Sequence, residues 1–200
     1  VSRTPLNKAE LARKKRNLAT YERFLPSLDM KRKQLLVERR RAKRDLDTIR
    51  ERLAATRQRV ADTLPMLADT QVAVEDLVTI ADVEVNSRNI VGVTVPVLGD
   101  VRFDVASTGY LVRPHWVDRV IELLKTQLRE RVAEKIAEER LARLEAGLKT
   151  VTQRVNLFDK VLIPRTKEQI KRIQIALGDA ERAGVVRAKI AKRKRAERAS

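Results

Sequence analysis

The chain has 200 residues, of which 36% are charged and 3% aromatic, with six glycines and six prolines; this composition excludes a compact enzyme core and describes mostly long helix. Forty-four Lys and Arg against 27 Asp and Glu give a net charge of +17, so the partners to consider are acidic protein surfaces, nucleic acid and anionic membrane. The absence of cysteine and the single histidine, His115, exclude disulfides, thiol nucleophiles, Cys/His zinc sites and any catalysis that needs two imidazoles. A chain without cysteine fits a reducing, cytosol-facing compartment. The longest uncharged stretch, Asn89 to Gly99, is far short of the roughly 18 to 20 apolar residues of a membrane-spanning helix. The N-terminus has no signal-peptide core, and a start at Val1 instead of Met leads us to expect a missing leading residue or segment.

Charge is unevenly distributed. Residues 1–60 carry a net +12, residues 61–110 −6, residues 111–181 +4 and residues 182–200 +7. Both ends are basic and the middle is acidic. Thr4 and Pro5 make a helix start, a hydroxyl cap followed by a residue that needs no amide donor at the first position. From there a heptad frame holds, with a positions at Leu11, Leu18, Leu25, Arg32, Arg39, Leu46, Leu53, Val60, Leu67 and Val74. Its d positions include Tyr21, Leu28, Leu35, Ala42 and Ile49. A 3.5-residue repeat kept this long predicts a left-handed supercoil with a partner helix. Pro26 is expected to bend this helix, and Pro65 to kink or break it.

Between Val78 and Val112 the texture changes to short β-branched runs: Val83 and Val85, then Ile90 to Val97, then Val101, Phe103 and Val105. This predicts a small hairpin. Asn86, Ser87, Arg88 and Asn89 are expected to form a turn between the first two runs, and Pro96 limits how centrally the second strand can sit. Pro114 then opens a second long helix with Val117, Ile121, Leu124, Leu128, Val132 and Ile136 along one face, continued by Leu141, Leu144, Leu148, Val151, Val155, Phe158 and Leu162. The stripe shifts by one residue at Pro164, continuing as Ile163, Thr166, Ile170, Ile173 and Leu177. A stutter with a kink is predicted there. Gly147, Gly178 and Gly184 each weaken a helix interior by roughly 1 kcal/mol relative to Ala, which makes the turns beyond Gly178 the least secure.

The segments expected are residues 4–79 as an N-terminal coiled-coil helix, 80–112 as a connector with the hairpin, and 113–200 as a C-terminal coiled-coil helix with a basic tail. At about 1.5 Å per residue the two helices are nearly matched in length. The fold class expected is therefore all-α, a long antiparallel two-helix coiled coil with a small central β-hairpin.

The C-terminal stretch Arg154-Val155-Asn156-Leu157-Phe158-Asp159-Lys160-Val161-Leu162-Ile163-Pro164-Arg165, followed by Ile170-Lys171-Arg172-Ile173 and a basic tail, resembles the D subunit, the central rotor axle, of the V-type and A-type rotary ATPases. Val155, Asn156, Ile163, Pro164 and Arg165 match that family's pattern residue by residue. The Lys-Arg-rich segment at Lys31 to Leu36 and the stretch Asn89 to Pro96 resemble its N-terminal and central parts. Pro26, Arg172 and Gly184-Val185-Val186 depart from it. The resemblance implies a non-catalytic central-stalk rotor subunit that transmits torque between a catalytic hexamer and an ion-carrying membrane ring. Its implied partners are the catalytic and non-catalytic subunits of the hexamer, the small F subunit and a membrane-ring adaptor subunit. It places the chain peripherally at the cytoplasmic face of a membrane and calls for no cofactor, no metal and no direct nucleic acid contact.

The partner-facing candidates are Arg39, Arg40, Arg41 and Arg44 in the basic run, Asn156 and Arg165 in the matched motif, and Lys192 and Arg193 in the tail. By composition the basic run is equally a solvated helix face and the tail a frayed end. Arg32 and Arg39 at a positions either set register or mark where the partner helix diverges. Glu134, Lys135, Glu138 and Glu139 read as surface ion pairs at helical spacing, and His115 beside Trp116 as a capping or packing residue. No phosphate-cradling G-x-x-x-x-G-K-[ST] occurs. The competing functions are a basic nucleic-acid-binding coiled coil, disfavoured by six aromatics in all, and a helical scaffold.

Overall fold

The computed structural model describes residues 5–63, 77–105 and 116–199. Its elements run in the order α1 (Lys8–Thr63), β1 (Val78–Ile90), β2 (Val93–Val105), α2 (Trp116–Leu157), a π-helical turn (Phe158–Leu162) and α3 (Ile163–Ala199). The chain is mostly helical with one small antiparallel hairpin and a long C-terminal helix.

Helix α1 starts later than Thr4 and Pro5 predict: Thr4 lies outside the described residues, and Pro5 precedes the helix. Asn7 is the cap. Its Oδ1 accepts from the Glu10 amide at 2.7 Å, satisfying an N–H that the helix leaves unpaired. Glu10 in the first turn is well placed for the helix dipole and pairs with Arg13 at 2.8 Å. The helix continues through Pro26 without interruption. Pro65, Leu67 and Val74 lie outside the described residues, as do Pro114 and His115; Thr79, the expected end of the first helix, is in β1.

The chain divides into two compact units, Val1–Lys31 with Val151–Ser200, and Arg32–Thr150. In the second, burial along α1 follows the heptad: Leu35, Ala42, Leu46 and Leu53 are buried, and the next d position is Thr56, also buried. Leu144 on α2 is buried with no exposed surface. Full burial of each such Leu contributes about 1.5–3 kcal/mol. Around the base of the hairpin, Leu77, Val78, Val117, Val120 and Ile121 form a cluster, with Val60, Phe103, Leu124 and Leu128 packed on it.

The expected turn at Asn86–Asn89 is strand instead. Asn86 faces Val97, Ser87 faces Pro96, Arg88 faces Val95 and Asn89 faces Thr94. The chain reverses at Val91 and Gly92, with φ of 53° and 78°, the paired left-handed geometry of a two-residue hairpin turn. Asn89 Oδ1 accepts from the Gly92 amide at 2.7 Å, which fixes the turn one step beyond the polar cluster. A β-branched residue at positive φ is strained, and Val91 is the sole such non-glycine among the described residues. Pro96 is accommodated because both strands of a two-stranded sheet have an unpaired edge. Two register shifts, between Ile80 and Asp82 and between Val83 and Val85, add a residue first to β1 and then to β2.

The hairpin lies tight against α2. A Cβ built on Gly147 would stand 2.5 Å from Val93 Cγ2, so the glycine that weakens the helix by propensity is the residue that admits the strand. Gly184, by contrast, meets nothing within 4 Å.

In the C-terminal part of the first unit the buried residues are Val151, Val155, Ile163, Thr166 and Ile173, so the stripe shifts where the sequence shifts. The device is the π-turn. The Ile163 amide bonds to Phe158 O, five residues back instead of four, which inserts one residue into the helix. Pro164 follows at once and can donate to no carbonyl. Tyr21 meets Phe158 edge-on, with ring centroids 5.4 Å apart.

These backbone features have two testable consequences. Gly147→Ala should destabilise by on the order of 1 kcal/mol, because overpacking at Val93 outweighs the helix-propensity gain of about 1 kcal/mol; Gly184→Ala should keep that gain. Thermal melts of the two variants test the opposite signs, and Val93→Ala should rescue only the first. Deleting Val161 should bring Ile163 within four residues of Phe158 and close an ordinary α-helical ring on the same hydrogen bond. Its melting temperature should stay closer to the parent's than that of a deletion of Gln174, where no extra residue exists to remove.

Candidate partner-binding surface

Successive helical residues turn by about 100°, so the run Arg39-Arg40-Arg41-Ala42-Lys43-Arg44 cannot present one face. Ala42 points into the seam and is buried; Arg39 is half-buried beside it, and Arg40, Arg41, Lys43 and Arg44 are exposed. Arg39 is bound within the chain, its Nε and Nη2 each 2.9 Å from Glu145 Oε1.

Arg39 is one rung of a series of ion pairs in the second unit. Asp45 pairs with Arg140 at 3.5 Å. Arg50 donates to Glu134 at 3.0 Å and to Glu138 at 2.6 Å. As the α1 numbers rise the α2 numbers fall, so each α2 partner is drawn from farther back along that helix. Glu134 and Glu138 thus pair across to α1, whereas Glu139 pairs along its own helix with Arg143. Hydrogen bonds to Glu134 and then Glu138 hold the Arg50 guanidinium above its ordinary pKa. A raised basic pKa contributes stability at every pH below the unfolded value and loses it only as pH rises through the folded one. For arginine that window is strongly alkaline, so the pair gives no pH dependence near neutrality.

In the first unit, Lys8 pairs with Glu181 at 3.4 Å and Lys167 with Glu22 at 2.9 Å, again in reversed order. Arg165 is exposed at the rim of a cleft that includes Glu10, Tyr21, Leu162 and Thr166. Thr166 Oγ1 donates to Leu162 O at 2.6 Å, which caps a carbonyl at the end of the π-turn. Asn156 is exposed immediately after buried Val155, and Lys192 and Arg193 are exposed on the last turns of α3. The eight candidates therefore fall into two sets, Arg39, Arg40, Arg41 and Arg44 in one unit and Asn156, Arg165, Lys192 and Arg193 in the other.

Sequence reasoning passed over Arg88 and Arg140, which line one cleft with Arg41. Arg88 was hidden because its neighbours look like a turn, and Arg140 because its spacing looks like a surface ion pair. Among the described residues no His, Cys, Asp and Glu gather into a metal-holding group, and no helix is long and apolar enough to cross a membrane.

A chain of two long helical stretches flanking a hairpin, with a basic, ion-paired surface, has the features of a helical component built to be held by other proteins. The profile of the family of ATP synthase D subunits matches residues 10–193. The V-type ATP synthase D subunit of Borreliella burgdorferi is 32% identical over 192 residues, covering 96% of this chain and 95% of the relative. The proteins of the same description from Chlamydia pneumoniae and Chlamydia muridarum are 31% and 33% identical, covering 94% and 96% of this chain and 91% and 96% of their own lengths. The chain belongs to the family of ATP synthase D subunits.

The cross-helix pairs generate a prediction. Arg50→Ala should lower the melting temperature at about 0.02 M salt, and the difference should fade by about 1 M, where the Debye length falls to roughly 3 Å. A melt series against NaCl concentration checks it.

Proposed function

We propose that this chain is the central-stalk rotor subunit of a V/A-type, proton- or sodium-translocating ATPase or ATP synthase, carrying torque between the catalytic hexamer and the membrane ring. The observation that carries the proposal is the family match over residues 10–193, which leaves almost none of the chain for another role. The rotor itself does no chemistry. The helical stretches on either side of the hairpin Val78–Val105 form an antiparallel two-helix coiled coil. The reversed order of the ion pairs, Lys8 with Glu181 in one unit and Arg39 with Glu145 through Arg50 with Glu134 in the other, supports that pairing.

In this reading the coiled coil passes through the pore of the hexamer, and the F subunit and a membrane-ring adaptor hold it outside. The complex sits at the cytoplasmic face of the membrane, with this chain peripheral to it. Exposed Arg40, Arg41, Arg44, Lys192 and Arg193, together with Asn156 and Arg165, face the surrounding subunits. Positive charge spread over many side chains meets a ring of carboxylates without one deep minimum, which favours turning over sticking.

A tagged pull-down from the native source, after nuclease treatment and washing at about 0.5 M salt, where exposed-charge contacts are largely screened, tests the assignment. Stoichiometric recovery of the hexamer subunits and the F subunit, with ATPase activity, is expected. An empty bead, or material lost with nuclease, would remove the rotor reading.

A further inference from the structure

The hairpin tip and the two helices of the second unit border a half-open polar cleft of about 350 Å³, lined by Glu38, Arg41, Asp45, Arg88, Val91 and Arg140 among others. Three guanidiniums meet two carboxylates there, and most of the positive charge is unused. Arg140 reaches Asp45 only through Nη1, at 3.5 Å, while its Nε is enclosed with no hydrogen-bond partner. A buried donor left unsatisfied is costly, so a rotation of Arg140 that met an acceptor in this cleft would remove an existing penalty. Neither Arg41 nor Arg88 has an ion pair or side-chain hydrogen bond among the described residues.

We propose that this cleft is a docking notch for a single carboxylate side chain, Asp or Glu, carried by a partner protein and flanked by an apolar residue. Carboxylate geometry suits paired guanidinium N–H donors, which bind its two oxygens in parallel. With Glu38 and Asp45 on the same wall as the three arginines, the lining carries a net charge of about +1, which one carboxylate neutralises. The apolar flank follows from the adjoining groove, where Val37, Ile90 and Val91 lie beside Glu38 and Val37 is 59% exposed. The turn strain at Val91 and the bond from Gly92 to Asn89 keep the tip where both features meet. The partner assignment rests on the rotor reading and deepens it, giving Arg41 a defined acceptor in place of diffuse attraction.

The test uses the full-length chain with the arginine Nε–H resonances of Arg140 as reporter. The probe Ac-Leu-Glu-Leu-NH2 is expected to shift the Arg140 signal saturably, at least fivefold more tightly than its Gln counterpart or inorganic phosphate at constant ionic strength. Arg88→Ala should weaken that binding about tenfold, whereas Arg102→Ala, which removes a hairpin arginine paired with Asp82 outside the notch, should leave it unchanged. No saturable shift, equal affinity for the Glu and Gln peptides, or tighter binding of phosphate would overturn the notch. In a second arm the Arg41→Ala/Arg88→Ala chain is mixed with the hexamer and F subunits and should bind at least fivefold less tightly than the parent. Equal binding of parent and variant overturns the notch and leaves the rotor reading standing, while failure of the parent to bind removes the rotor reading and, with it, the partner assignment.

Discussion

A helix with charge over most of its surface can bury only one narrow stripe, and everything else in this chain is arranged around keeping that stripe covered. Along α1 the buried residues Leu35, Ala42, Leu46, Leu53 and Thr56 keep a strict heptad, so each turn adds one apolar contact and no second layer forms. The remaining surface has to be satisfied by water, by ion pairs or by other chains. The series Arg39–Glu145, Asp45–Arg140 and Arg50 with Glu134 and Glu138 flanks the seam and opposes slippage, because a shift of one turn would bring each guanidinium opposite the wrong residue. Individually such exposed pairs add little; their contribution is to register.

Two backbone irregularities keep the seam workable. At Pro164 an α-helix would leave a carbonyl without its donor, and the apolar pattern is out of step by one residue. The π-turn at Phe158–Leu162 absorbs that residue, and Ile163, Thr166 and Ile173 return to the buried side. At Gly147 the absent side chain lets Val93 approach α2, which anchors the hairpin. The family motif around Asn156 and Pro164 is therefore in part a record of helix geometry.

The basic character divides into charge that the fold uses and charge that it leaves exposed. Arg39 and Arg50 are held by carboxylates of α2, while Arg40, Arg41 and Arg44 remain outward. For a component of a rotary assembly this division is physically sensible. Paired charges stiffen the helix-to-helix contact, and outward ones are available to surrounding subunits at distances where screening keeps each contact weak. The cleft lined by Arg41, Arg88 and Arg140 is the exception, since it brings arginines from α1, β1 and α2 together.

The sequence by itself determined the helical class, the central hairpin, the heptad seam and the shift at Pro164, because these are repeats and breaks of local periodicity, carried by residues a few positions apart. It also determined the family, through a motif whose members are contiguous. It misplaced the helix start, where Asn7 caps in place of Thr4, and the hairpin turn, where Asn86–Asn89 has turn chemistry but is paired with Val97 to Thr94. In both cases several nearby residues have similar local preferences, and a hydrogen bond or strand partner elsewhere selects among them. Only tertiary structure decided which carboxylates of α2 Arg39 and Arg50 meet, why residue 147 is glycine, and that Arg41, Arg88 and Arg140 share a cleft. Those outcomes depend on residues 47 to 106 positions apart in the chain, a separation that no local pattern encodes.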